Sequence, residues 1–254
     1  MKPNVFLVED PSPDAAQQLR HVFPDALILG RHFVQDGDSS LANCSDGSEN
    51  HQAKGAAFAD LIAQQALPLK GVVDAWVSDN ETASSADQAE LPCHAAFQLG
   101  FVERLQQTYG IDAVAGNDAT GSVEPADYAT YFARPISEAA YFGLHAYGKP
   151  GATTLQTPDA QYYALRYRMV HDALVQAGVR LPRGGFLLTE TGLYDGWRGV
   201  VSDQAMASDL LWLDQQLQQD DYVRGQMIFG LGLFGRFTNF DLQGTSVPAL
   251  LGAR

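Results

Sequence analysis

The chain has 254 residues, a formal net charge of -14, and apolar residues at 46%. Its acidity argues against nucleic acid as a partner, because an anionic surface repels phosphate backbones, and says nothing against uncharged ligands such as sugars. The composition is that of a globular protein, not a disordered one, and the length fits one α/β barrel domain over 1–254 or two small domains.

No apolar run reaches the roughly 20 residues needed to cross a bilayer, so no membrane partner is expected. The opening MKPNVFLVEDPSPD has an apolar run only from Val5 to Val8, followed by an acidic pair, which is not signal-peptide architecture. Localisation stays open between a cytoplasmic protein and an excised domain of a secreted one. Cys44 and Cys93 form no CxxC and show no zinc spacing. They are expected as two separate thiols, pairing only if the fold brings them together.

Taken in order, NVFLVE (4–9) reads as a strand, and Ser-Pro-Asp then opens a helix over about 12–23. ALILGRHF (26–33) is the second strand. A polar loop covers about 35–50, and 51–66 is helical. The third strand, VVDAWVSDN (72–80), runs into Glu81, and a long helix over about 92–109 follows. Next come DAVAGN (112–117), a short helix over about 125–132, and YFGLHAY (141–147). A helix over about 160–177 precedes GFLLTE (185–190). A helix over about 202–219 leads to the last strand, GQMIFGLGLF (225–234). Alternation of apolar strands with helices implies parallel strands covered by helices. An open doubly wound sheet is the competing architecture, but neither GxGxxG nor GxxxxGK[ST] follows any strand. The expected fold class is therefore α/β, a TIM-type (β/α) barrel. Seven strands are read where a closed barrel has eight, so the barrel is expected to be incomplete. An open barrel exposes strand edges; the missing strand then comes from a partner protomer (a homo-oligomer), from a non-sequential segment, or from nowhere.

In such a barrel the active site lies where the strands end. Glu81 and Glu190 each end an apolar strand. Glycosidic cleavage needs one carboxyl group to protonate the leaving oxygen and a second carboxylate to attack or stabilise the oxocarbenium-like carbon, both on rigid supports. The acid must hold its proton near neutral pH, and the nucleophile must be ionised by a cation and donors.

Four motifs in order resemble clan A of the glycoside hydrolases, over nearly the whole chain. DAWVSDNE (74–81) looks like the Trp…Asn-Glu signature of the fourth strand, and LLTETG (187–192) like the seventh-strand nucleophile motif. FGLHAY (142–147) looks like the sixth strand and LGRHF (29–33) like the second. The resemblance implies a retaining O-glycosidase acting on a β-linked sugar or oligosaccharide, with no cofactor and no metal. Glu81 would be the general acid/base and Glu190 the nucleophile. Asn80 would bind the sugar 2-hydroxyl, His145 would line the pocket, and Tyr147 and Arg31 would keep Glu190 ionised. Alternatively Arg31 pairs a structural acid such as Asp36 or Asp38, and His145 and Tyr147 only pack.

Trp197 is the candidate sugar platform, since aromatic faces stack on sugar rings; Trp76 and Trp212 read as core. Two departures stand out. The clan's Asn-Glu-Pro is here Asn80-Glu81-Thr82, preceded by Asp79, which either raises the pKa of Glu81 or faces away. The clan's eighth-strand Trp is replaced by a segment offering Phe237 or Phe234. If Glu81 ends the clan's fourth strand, the first βα unit is absent. Two other functions remain open. One is a catalytically inactive relative that binds carbohydrate or serves assembly. The other is a metal-dependent hydrolase built on His32, His145, Asp118 and Glu190, although no HxH or HExxH is present.

Overall fold

In the computed structural model, the residues described are 3–34, 44 and 50–252. Most of the polar loop over 35–50 lies outside them, as do Asp36 and Asp38, the alternative partners for Arg31.

The described residues contain one sheet of seven parallel strands in sequential order. The strands are Val5–Glu9 (β1), Leu27–Arg31 (β2), Ala75–Val77 (β3), Asp112–Asp118 (β4), Tyr141–Tyr147 (β5), Phe186–Gly192 (β6) and Val223–Ile228 (β7). The helices between and after them are Pro13–Val22 (α1), His51–Ala66 (α2), Leu91–Glu103 (α3), Pro125–Tyr131 (α4), Ala133–Glu138 (α5), Arg166–Gln176 (α6), Asp203–Leu217 (α7) and Val247–Gly252 (α8). Capping sets several helix starts: Ser12, Asn50 and Ser202 each accept the N–H three residues on, satisfying a donor that the first turn leaves unpaired. None of these helices is long and apolar enough to cross a membrane.

Residue alternation along the strands separates two layers. Leu29, Ala75, Val77, Val114, Leu187 and Met227 point inward and pack on one another, filling the barrel. Ile28, Trp76, Ala113 and Ala115 point outward into a cluster with Phe58, Phe97 and Phe101 of α2 and α3. Phe142, Leu144, Phe186 and Leu188 point outward against Val170 of α6 and Leu210 and Leu213 of α7. Trp76 lies over Gly30 of the neighbouring strand, where any Cβ would sit 2.8 Å from its ring. Helices α2 and α3 approach closer than side chains allow: a Cβ on Gly55 would lie 1.8 Å from the Phe97 carbonyl oxygen, and one on Gly100 would lie 1.9 Å from that of Gln52.

The barrel is nearly closed and incomplete. β1 and β7 are the edges of the hydrogen-bonded sheet, and they meet through side chains: a Cβ on Gly225 would lie 3.0 Å from Val5 Cγ2.

Several elements differ from expectation. β3 has only Ala75–Val77 of the expected 72–80. The Asp74 carboxylate accepts the Ile28 N–H and pairs with Arg20, while Val72 and Val73 donate back to Leu69 in a turn. The final strand stops at Ile228, because the chain then turns and Gly230 accepts the Leu242 N–H while Gly232 donates to Asp241. α3 gives way to a π-helical turn, Arg104–Thr108, and α6 begins only at Arg166, after a 3-10 turn at Ala160–Tyr162. Cys44 and Cys93 form a disulfide, not two separate thiols, because the fold brings their Cα atoms to 5.9 Å.

Candidate active site

Glu190 lies in β6 and is 7% exposed. Its position depends on a register slip. Leu144 pairs with Leu188 but His145 pairs with Glu190, so Thr189 is an extra residue in β6. A bulge of this kind reverses the inward–outward alternation, and it sets Glu190 beside His145. Arg31, from the end of β2, places Nη1 3.1 Å from Glu190 Oε1, and the Tyr147 hydroxyl donates to Oε2 at 2.8 Å. The nucleophile candidate therefore has the cation and the donor that an ionised carboxylate requires. Burial, and then the negative charge of Glu190, push the Tyr147 phenol well above its ordinary value, so it stays a donor.

Glu81 follows β3 in a turn. Its backbone is left-handed, with φ 55°, and so is that of Asn117, with φ 71°. Glu81 N–H donates to the Asn117 carbonyl at 3.0 Å, tying the ends of β3 and β4 together. A non-glycine residue in this region costs roughly 1–2 kcal/mol, and such residues concentrate at functional sites. The Glu81 side chain is 46% exposed, and its Oε1 lies 2.9 Å from His145 Nδ1. His145 Nε2 lies 3.7 Å from Glu190 Oε1. One oxygen of Glu81, one ring nitrogen of His145 and one oxygen of Glu190 all fall within 4.8 Å of one another.

This places His145, only 1% exposed at its side chain, between the two carboxylates. Burial pushes the His145 imidazole down, but Glu190 and Glu81 together outweigh it and raise the pKa above 6.5. Reciprocally, the His145 hydrogen bond, against the opposing effect of burial, holds the Glu81 carboxyl below its ordinary 4.5. These two directions favour the imidazole over the Glu81 carboxyl as proton holder, the reverse of what the sequence led one to expect of the acid. Asp79 is buried and accepts the Thr82 hydroxyl. Asn80 is half-buried between Asp79 and Glu81.

These two shifts fix a pH window for stability. A raised histidine contributes fully below 6.5 and loses its contribution as pH rises through the raised value; a depressed carboxyl contributes above 4.5 and loses its contribution as pH falls through the lowered one. The stability difference between the parent and His145→Gln, measured by urea unfolding, is expected to be greatest between those two values and to shrink as pH rises through the raised histidine value. A difference independent of pH would rule out the charged bridge.

Other candidates are placed differently. Trp197 is not a sugar platform: it is 1% exposed, and its indole N–H donates to the Phe240 carbonyl at 2.9 Å, so its faces are spent on the core. Trp76 is core as expected, and Trp212 packs against the core from a partly buried position. Phe237 is 37% exposed and lies edge-on to Phe229 at 5.6 Å, with Arg236 over its ring at 4.8 Å. Phe234 is 83% exposed. Phe229, inside the expected last strand, and Phe240, beyond it, were not singled out in the sequence, yet both lie edge-on to Tyr147, at 6.5 and 6.1 Å.

Glu9 was also missed. It ends β1 with an oxygen 3.5 Å from Arg31, and burial, opposed by Arg31, raises its pKa.

The metal set drawn from His32, His145, Asp118 and Glu190 does not assemble. His32 pairs with Asp10 at 2.7 Å. Asp118 turns away because Asn117 is an extra residue between the Gly116–Gly143 and Asp118–Leu144 pairs. Asn117 enters the barrel over Gly143, where a Cβ would meet its Oδ1 at 2.2 Å, and Asp118 faces Tyr128 behind the sheet. There burial, against the Tyr128 hydroxyl bond, raises Asp118 to about 6. At this end of the barrel the donors that do meet are Glu81, His145 and Glu190. The fixed charge of Arg31 beside Glu190 opposes a second cation there.

No family model matches the chain, and no curated protein matches it in sequence. Solved structures do match it in shape. A protein from Neocallimastix frontalis superposes with a TM-score of 0.56 at 11% identity, covering 89% of this chain and 53% of that one. A GH113 beta-1,4-mannanase gives 0.54 at 9%, covering 95% and 78%. A beta-glucuronidase of an uncultured Clostridium sp. gives 0.53 at 10%, covering 89% and 37%. The chain spans about half the length of the first of these and less of the third. At such identities the likeness is one of fold. The chain has the fold of the (β/α)-barrel glycoside hydrolases, which is what its resemblance to clan A implied.

Proposed function

We propose that the protein is a retaining O-glycoside hydrolase of β-linked sugars. The observation that carries this reading is that one carboxylate oxygen of Glu81 lies within 4.8 Å of one of Glu190. Retaining enzymes hold their carboxyl groups about 5–5.5 Å apart, whereas inverting enzymes leave about 6.5–9.5 Å for a water. Glu190, held by Arg31 and the Tyr147 hydroxyl, attacks the anomeric carbon as Glu81 protonates the departing glycosidic oxygen. The glycosyl ester on Glu190 is then hydrolysed by a water that Glu81 deprotonates. Asn80 takes the 2-hydroxyl and His145 lines the pocket. A mannanase and a glucuronidase among the fold neighbours favour carbohydrate as the substrate class.

The His145 contact with Glu81 sets a condition on this scheme: Glu81 must carry a proton at the acid step, and that contact favours its ionised form. The same contact favours a second reading, a carbohydrate-binding relative without turnover. The two separate on an aryl β-glycoside panel followed by NMR. The expected result is hydrolysis with the β-anomer formed first. First appearance of the α-anomer excludes the double displacement. Saccharide binding by calorimetry with no hydrolysis over days establishes the binding module.

A further inference from the structure

A second group of metal-ligating side chains lies at the start of α3, apart from the carboxylate pair. Cys44, in disulfide with Cys93, offers its sulfur to Glu90 and His94, and one donor atom of each of the three lies within 4.8 Å of the others. Glu90 and His94 are one helical turn apart, with Oε2 and Nε2 separated by 3.9 Å; this i,i+4 spacing puts two ligands on one helix face. His94 is 5% exposed, and its Nδ1 is buried with no hydrogen-bond partner among the described residues.

We propose that reduction of the Cys44–Cys93 disulfide opens a zinc site formed by the Cys44 thiolate, His94 and Glu90, with water in the fourth position. Sulfur, imidazole and carboxylate together suit Zn²⁺ better than the hard cations, which prefer oxygen alone. Bond lengths of about 2.0–2.3 Å put tetrahedral donors roughly 3.5 Å apart, so the present spacing needs only a modest contraction. While the disulfide is intact, its sulfur has no thiolate charge and is a poor ligand. In the reaction a water-soluble phosphine gives two electrons to the S–S bond and becomes its oxide. Water supplies the oxygen and the two protons of the new thiols. Metal binding then releases the Cys44 thiol proton to solvent.

The test uses the whole chain and Co²⁺ as a spectroscopic probe, after anaerobic reduction and removal of the phosphine. The reduced parent is expected to bind one Co²⁺ with a thiolate-to-cobalt charge-transfer band, which Zn²⁺ then abolishes. The oxidised parent is expected to show no such band. Cys93→Ser leaves Cys44 as a thiol without reductant and should give the band directly. Cys44→Ser should lose the band, and His94→Ala should weaken binding at least about a hundredfold. The Glu81–His145–Glu190 group contains no sulfur, so Co²⁺ held there is silent in this band. The site is refuted if the reduced parent lacks the band, if the oxidised parent shows it equally, or if folded Cys93→Ser (verified by circular dichroism) fails to bind.

Discussion

Glu190→Gln is expected to lower turnover of an aryl β-glycoside by at least about a thousandfold, with the far-ultraviolet dichroism unchanged. The side chain keeps its volume and still accepts the Tyr147 hydroxyl, so the pocket survives, but an amide does not attack an anomeric carbon. Among the described residues, Arg31 then keeps only Glu9 as an ion-pair partner, 3.5 Å away. A cost of about 2 kcal/mol in stability follows from weakening a buried ion pair with one partner left. Glu81→Gln should behave differently. General acid assistance is worth about 10²–10⁴-fold, and good aryl leaving groups need little of it, so the loss should grow as the leaving group becomes more basic. Glu190→Gln activity within tenfold of the parent removes the proposed mechanism, and a Glu81→Gln defect uniform across leaving groups removes Glu81 as the acid.

Gly100→Ala is expected to destabilise the fold by about 3 kcal/mol or more, at the upper end of overpacking costs. The added Cβ would meet the Gln52 carbonyl oxygen at 1.9 Å and its carbon at 2.7 Å. Both are backbone atoms inside α2, so no rotamer relieves the clash, and the two helices must part. Separation opens the packing of Phe58 against Phe97 and Phe101, whose rings lie 5.9 and 5.7 Å from it. For a chain of this size the loss corresponds to about 6–12 °C in Tm. Gly252→Ala, where nothing among the described residues lies within 4 Å of the added carbon, is the control and should melt with the parent. A Gly100→Ala melting point within about 2 °C of the parent would show that the crossing is looser than its geometry.

What the sequence disclosed and withheld follows from the range of the interactions. β5 and β6 were readable because apolar residues run continuously between turn signals, and their ends named His145, Tyr147 and Glu190 directly. Arg31 and Glu81 were readable for the same reason, and the structure brings all five together. The register slips at Asn117 and Thr189 were not readable. An extra residue at Asn117 or Thr189 leaves the local pattern intact but reverses which neighbours face the barrel, so strand-end position alone put Asp118 among the ligands. Trp197 was misjudged because its indole partner, the Phe240 carbonyl, lies 43 residues away. The disulfide joins residues 49 apart in sequence, and no spacing rule reaches that far.

The unlaced seam between β1 and β7 has a consequence for how the chemistry is dimensioned. The reach from Glu81 to Glu190 is gauged by three consecutive ladders, β3 to β4, β4 to β5 and β5 to β6. None of these touches the seam. The backbone bond from Glu81 to Asn117 secures one end of that gauge, and the slip at Thr189 sets the other. Circumference and calibre are therefore separate properties of this barrel. The number of staves around the ring can vary while the opening between Glu81 and Glu190 is kept.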